Sequence, residues 1–234
     1  MRWRGSNPDY YAVTGSTLQE QLDALKARAR SLLRPEVIAI HDRATQELQA
    51  SGLATRILPV GAAAPPFDLP DRNGKPVRSA DLLVHGRLVI SFFRGRWCPY
   101  CIAELEALQE ALPRIREAGA SLVAISPQTV RQTDFQVDQH RLGFPVLSDS
   151  GNRVARAFGL VYEVPAYLRE LYQRSFINLP LANGDSSWEL PLPATYVLER
   201  DGTVLYASAD ADITRRAELA DVLGALTSSG SVSG

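Results

Sequence analysis

The sequence predicts an α/β fold, a central mixed sheet flanked by helices, with a helical extension at the N-terminus. Three observations predict it. Between residues 88 and 158, short apolar runs alternate with helix-length segments, the pattern of strands joined by crossover helices. Two more apolar runs, 194–198 and 203–207, flank Glu199-Arg200-Asp201-Gly202 and read as a hairpin, so parallel and antiparallel pairing meet in one sheet. Ahead of all this, residues 16–53 carry a helical period and no strand pattern.

In chain order, residues 1–15 are polar and aromatic without periodicity and read as a flexible lead. Ser16 or Thr17 can cap a helix, and Glu20 stands in capping-box register to Thr17. Leu18, Leu22, Leu25, Leu32 and Leu33 follow at roughly helical spacing. Pro35 stops that helix and starts another, whose apolar face is Val37, Ile38, Ala44, Leu48 and Leu53. Residues 16–53 are therefore a helical hairpin or a bent helix. Such an arm either packs on its own domain or joins a second copy of the chain, making a homodimer. His41 reads as a helix-face or interface histidine rather than a catalytic one.

Residues 59–87 are punctuated by Pro and Gly, with Asp71-Arg72-Asn73-Gly74 as a hairpin turn and Ser79–Leu83 as one helical turn. The alternation then runs strand 88–93, helix 98–118, strand 121–126, helix 129–140, strand 144–147 and helix 152–158. Residues 160–192 break the rhythm and read as an aromatic-rich insertion, long enough to suggest a role at the site. A closing helix spans 213–226. The organisation is thus a lead and arm, 1–55; an α/β domain, 56–226; and a flexible tail, 227–234.

The net charge of −1 gives no electrostatic case for nucleic acid, and no apolar run approaches the length of a membrane span. Met1–Pro8 lacks the apolar core of a signal peptide. With two cysteines in 234 residues, a reducing cytoplasm is the expected compartment.

Those two cysteines form Cys98-Pro99-Tyr100-Cys101, set where a buried strand turns into a helix. A helix N-terminus presents unpaired N–H groups and the positive end of its dipole, which lowers a thiol's pKa. Cys98 is expected to be the exposed nucleophile and Cys101, one turn deeper, the sheltered resolving partner. Pro99 suits the first helical position. Arg94 and Arg96 are placed to add positive potential, Trp97 to pack over the pair, and Tyr100 to be more exposed. A zinc site would need about four ligands, and His41, His85 and His140 are scattered. A staple closing so short a loop would stabilise little. No metal or organic cofactor is called for.

Taken together, residues 56–226 resemble the thioredoxin-like superfamily in its peroxiredoxin-like branch, alkyl hydroperoxide reductase/thiol-specific antioxidant. The resemblance rests on Gly61–Leu69, Phe93–Cys101, Phe144–Asp149 with Val154–Gly159, and Leu192–Val197. It implies a thioredoxin-like fold and a thiol-dependent peroxidase that reduces hydroperoxides through Cys98, with Cys101 closing an intramolecular disulfide. It implies thioredoxin or glutathione as the reductant. It also implies a cis-proline loop at Pro193 facing the reactive cysteine. One departure is plain. The family's Pro-x-x-x-Thr-x-x-Cys motif is absent, with Ser91 and Gly95 at the Pro and Thr positions, and Arg94 and Arg96 are the candidates for its arginine. A disulfide reductase of thioredoxin or glutaredoxin type, and a non-catalytic redox sensor, stand beside the peroxidase reading.

Overall fold

The computed structural model describes residues 17–228. The lead, 1–15, and the tail beyond 228 lie outside the described residues. The arm opens with α1 (Leu18–Leu32), where the capping box forms: Glu20 N donates to Thr17 Oγ1 at 3.2 Å and Thr17 N to Glu20 Oε2 at 2.7 Å. Pro35 takes the first position of α2 (Pro35–Ala50), and Gly52 ends it at φ +67°. Next come a hairpin of β1 (Asp68–Pro70) and β2 (Pro76–Arg78), then α3 (Ser79–His85).

The sheet is built from β3 (Leu88–Phe92), β4 (Ser121–Ser126), β5 (Val146–Ser148), β8 (Ala194–Leu198) and β9 (Val204–Ala209) in the order β5-β4-β3-β8-β9. The β3–β4 and β4–β5 pairs are parallel, joined over α4 (Pro99–Glu117) and α5 (Val130–His140); β3–β8 and β8–β9 are antiparallel. The mixed sheet is therefore as expected. All five residues of β3 are buried. Its period of two sends Leu88, Ile90 and Phe92 into a core with Phe158 and Tyr196, and Val89 and Phe93 into the core that holds both cysteines.

After α6 (Arg153–Ala157), the 160–192 stretch folds as β6 (Val161–Glu163), α7 (Ala166–Arg174), α8 (Leu179–Asn183) and β7 (Glu189–Pro191), with β6 and β7 paired antiparallel. It has its own small core of Val164, Leu168, Tyr172, Leu179 and Leu190. The closing helix α9 (Leu219–Thr227) starts six residues later than its apolar pattern suggests. Aspartates explain the difference: Asp210 Oδ1 accepts from Asp212 N at 2.7 Å and Asp212 Oδ1 from Thr214 N at 3.0 Å, local turns that compete with helix.

The arm packs on its own chain. Leu18 and Leu22 are buried against Ala103 and Ala107 of α4, and Lys26 pairs with Asp212 at 2.8 Å. Ile40 and Ala44 of α2 meet the core of the 160–192 stretch. The N-terminal half of the α1 stripe, Leu18 and Leu22, is thus used within the domain, while Leu32 and Leu33 at its far end are exposed. Among the described residues, no helix is long and apolar enough to cross a membrane. Leu22 is fully buried, so Leu22→Ala should lower unfolding free energy by about 2–5 kcal/mol. Urea unfolding followed by circular dichroism checks this; an unchanged midpoint would mean that the arm contributes nothing to the domain.

Candidate active site

β3 delivers the chain into the core, and Arg94–Trp97 turn it into α4. Cys98 is the N-cap of α4 with Pro99 at its first position; Cys98 N donates to Gly95 O at 3.1 Å and Ile102 N to Cys98 O at 3.1 Å. The Cys101 thiol donates to Cys98 Sγ at 3.0 Å. Closing to a bond of about 2.05 Å needs only about 1 Å of movement. Both cysteines are free, and both are buried: Cys98 is 2% exposed and Cys101 0%. The expectation of an exposed Cys98 is corrected here. Trp97 packs against the cysteine core from one side and against the core of the 160–192 stretch from the other, and its ring meets Tyr172 at 5.2 Å.

Two guanidinium groups face this pair. Arg94 is 2% exposed; it donates through Nη2 to Tyr172 Oη and stacks on Trp97 at 4.7 Å. Burial works against its charge, but Tyr162, Tyr172 and the cysteines hold it protonated. Arg216, from the loop before α9, places Nη2 3.6 Å from Cys101 Sγ and pairs through Nε with Glu104 Oε2 at 2.5 Å. Glu104 is itself buried, its pKa raised by that burial against the pull of Arg216. Its other oxygen lies 3.4 Å from both Ser91 Oγ and Thr195 Oγ1.

This surround divides the thiols. Burial pushes Cys98 up, but the hydrogen bond from Cys101 and the charges of Arg94 and Arg216 outweigh it, so Cys98 falls below an ordinary thiol. Burial, reinforced by the neighbouring Cys98, holds Cys101 well above one. The arrangement suits a nucleophilic thiolate beside a protonated thiol.

Gly95, at the position where the motif's Thr is expected, has φ +146°. A Cβ there would meet Trp97 Nε1 at 2.6 Å and Gln128 Oε1 at 3.1 Å. Gln128 is fully buried, and its Oε1 accepts from Arg96 N at 2.6 Å. The turn therefore has no room for a side chain at 95, and Trp97 and Gln128 fill the space.

The other expected site residues are spread. Arg96 is exposed, bound to Gln132 at 2.7 Å and stacked on Phe135, away from the cysteines. Pro99 is exposed at the helix start; Tyr100 is half-buried between α1 and the cysteine core rather than exposed. Pro193 lies between β7 and β8 and lines a cavity of about 100 Å³ with Arg216. The described residues contain no cis peptide, so the expected cis-proline is trans. Leu192, the residue before it, donates its N–H to Leu160 O at 2.8 Å. Sequence reasoning missed Arg216, Glu104, Tyr172 and Gln128. Glu104 alone left a signal, a carboxylate on the same helix face as Cys101 among apolar neighbours.

The polarisation has a pH signature. Far-ultraviolet thiolate absorbance, corrected with Cys98→Ser, should titrate near pH 6 in the reduced protein, with thiolate dominant above that pH and lost below it. Arg94→Gln removes a buried cation that favours the thiolate, so the inflection should rise. An inflection near the free-thiol value of roughly 8.5 in the unaltered protein would contradict this account. Gly95→Thr should destabilise the fold by about 1–3 kcal/mol through its backbone conformation and leave peroxide reactivity no higher; urea unfolding and stopped-flow kinetics read the two effects.

Comparison with known proteins agrees with this geometry. Chloroplastic peroxiredoxin Q of Arabidopsis thaliana is 30% identical over 144 residues, 62% of this chain and 56% of that protein. The thiol-disulfide oxidoreductase ResA of Bacillus thuringiensis subsp. konkukian is 25% identical over 150 residues, 62% of this chain and 67% of that one. The chain thus spans little more than half the length of the first relative. The crystal structure of peroxidoxin BcpB from Mycobacterium tuberculosis matches in fold, with a TM-score of 0.56 at 24% identity, covering 71% of this chain and 95% of that one. The AhpC/TSA family model matches residues 60–207, well over half of the sequence and all of the site except Arg216, and the chain belongs to the AhpC/TSA family.

Proposed function

We propose that the protein is a thiol-dependent peroxidase of the peroxiredoxin kind. The carrying observation is the 3.0 Å Cys98–Cys101 pair with the Arg94 charge bearing on Cys98. The Cys98 thiolate attacks one peroxide oxygen. An S–O bond forms, the O–O bond breaks, and the departing oxygen leaves as an alcohol or water after taking up a proton. Cys98 is then a sulfenic acid. The Cys101 sulfur attacks it, the S–S bond forms, and hydroxide leaves with the Cys101 proton as water. An external dithiol of thioredoxin type, or glutathione, returns two electrons and two protons. A compartment that keeps thiols reduced, such as the cytoplasm, suits this cycle.

Arg94 is the group placed to hold the peroxide and the developing negative charge, with Arg216 favouring Cys101 as it loses its proton. Trp97 and Tyr172 shield the sulfurs. Pro99 fixes the helix start, while Arg96, Tyr100 and Pro193 support the surrounding structure. A second reading, a disulfide reductase, is favoured by Gly95 at the Thr position and by the likeness to ResA.

Stopped-flow tryptophan fluorescence of reduced protein mixed with hydrogen peroxide, and separately with a small disulfide, decides between them. Fast oxidation by peroxide that vanishes in Cys98→Ser is the expected result. Peroxide no faster than with a free thiol, beside rapid disulfide exchange, would select the reductase. Cys101→Ser should keep the first step and stop at a protein one oxygen heavier by mass spectrometry, with steady-state turnover lowered at least a hundredfold, on the order of the effect of removing a participating group.

A further inference from the structure

Arg216 reaches the cysteine pair from the loop before α9, and it and its partner are shut away from water: the Arg216 and Glu104 side chains are 2% and 3% exposed. The guanidinium places Nη2 3.6 Å from Cys101 Sγ, while Nε donates to Glu104 Oε2 at 2.5 Å. Nη1 donates to the carbonyls of Ile213 and Arg215, so every nitrogen of the fork is engaged. Glu104 is held as well, its Oε1 lying 3.4 Å from Ser91 Oγ on β3 and from Thr195 Oγ1 on β8. The loop is tied to α1: Arg216 N donates to Gln19 Oε1 at 3.3 Å, and Gln19 Nε2 donates to Thr214 O at 3.2 Å. Both α1 and this loop lie outside residues 60–207, so the charge reaches Cys101 from sequence that the family match does not include.

Seen from Cys101, the pair is a cation backed by an anion. In so dry a place an unopposed guanidinium would act strongly on the sulfur, and the carboxylate behind it cancels much of that field. The other groups on this cluster come from several elements. Cys98 accepts the Cys101 hydrogen bond and holds Cys101 as a thiol, whereas Arg94 favours its thiolate. Tyr100, Tyr162 and Tyr172 are all pushed up by burial and stay neutral. Asp212 and Asp210 of the loop are paired with Lys26 and Arg215. Once Cys98 has reacted, its negative charge is gone. The state of Cys101 is then left to burial, to Arg94 and to the Glu104–Arg216 pair.

We propose that Glu104 and Arg216 are positioning residues of opposite sign for the resolving step: Arg216 draws Cys101 toward its thiolate, and Glu104 mutes that charge so that Cys101 stays a thiol until Cys98 has reacted. This rests on the dithiol chemistry that the peroxidase reading shares with disulfide exchange.

Dithiodipyridine separates the two steps. The Cys98 thiolate attacks one of its sulfurs, an S–S bond to Cys98 forms, and the first thiopyridone leaves. Cys101 then gives up its proton and attacks Cys98 Sγ; the Cys98–Cys101 bond forms, and the second thiopyridone leaves with that proton. Stopped-flow absorbance of the second release, followed against pH in the full chain, reads Cys101. Glu104→Gln keeps an oxygen on Arg216 and loses the charge, so the second release should be faster at neutral pH and its pH profile should move down. Arg216→Gln should slow it and move the profile up. Each change should be about threefold or more in rate, because a tenfold change in thiolate is partly offset by the opposite change in nucleophilicity. If Arg216→Gln does not fold, the double variant Glu104→Gln/Arg216→Gln carries the comparison and should lose the acceleration of Glu104→Gln. Two folded single variants that both slow, with the profile unmoved, would show a structural pair and overturn the proposal. So would a Glu104→Gln profile moved up, which would make the carboxylate itself the acceptor of the Cys101 proton. If the variants behave as expected but hydrogen peroxide oxidises the unaltered protein no faster than a free thiol, the peroxidase reading falls and this assignment stands.

Discussion

Two buried guanidinium groups set against one dithiol are the constraint on which the rest of the site depends. Removing a guanidinium from water carries a penalty of several kcal/mol unless nearby groups compensate it. Arg216 is compensated by Glu104 at 2.5 Å. Among the described residues no carboxylate pairs with Arg94; its compensation is Tyr162, the Tyr172 hydroxyl, the Trp97 ring and the cysteine pair. The nucleophile is thus also a counter-ion. In a site this dry, a charge acts on its neighbour far more strongly than it would in water, so burial and polarisation of the cysteine pair come from one arrangement. The helix N-terminus contributes its share, but it cannot by itself separate two thiols one turn apart. The hydrogen bond from Cys101 to Cys98 does, favouring a thiolate at Cys98 and a thiol at Cys101, while Arg94 and Arg216 favour the thiolate at either sulfur.

Much of the fold was legible because its signals are local. The capping box of α1, Pro35 at the start of α2, the 71–74 turn and the alternation from 88 onward each lie within a few residues of one another. The pattern Cys98-Pro99-Tyr100-Cys101 located the strand-to-helix turn that brings the two sulfurs together. Less of the site was legible. Sequence gave Arg94 and Arg96 equal standing, and only tertiary packing sent Arg94 inward to Tyr172 while Arg96 turned out to Gln132. Arg216 comes from a loop 115 residues beyond Cys101, whose helix pattern is interrupted by the Asp210 and Asp212 turns. Trp97, which packs on the cysteine core, is covered in turn by Tyr172, a residue far from the cysteines in sequence.

Gly95 shows how a family's site can be rebuilt around a lost residue. With φ at +146° and an indole nitrogen 2.6 Å from where a Cβ would stand, the position tolerates no hydroxyl-bearing side chain. The volume goes instead to Trp97 and Gln128. Gln128 ties down the backbone of Arg96, and Trp97 forms the platform for Arg94. In the proposed peroxidase the donor that a threonine would supply comes from elsewhere, and Arg94, whose charge bears on Cys98, is the group proposed for it.

The arm and the 160–192 stretch follow from the same logic. A thiolate 2% exposed needs an approach that does not admit bulk water, because water would weaken the arginine fields that create it. α7 covers Trp97 with Tyr172, and α2 in turn packs on α7 through Ile40 and Ala44. Together they form, with Arg94 and the loop before α9, a half-open cavity of about 220 Å³. A sheet, its crossover helix and a Cys-x-x-Cys pair would suffice to make a disulfide. What the added helices provide is cover: with Tyr172 over Trp97 and α2 over α7, the cysteine pair and the Arg94 guanidinium are kept from bulk water.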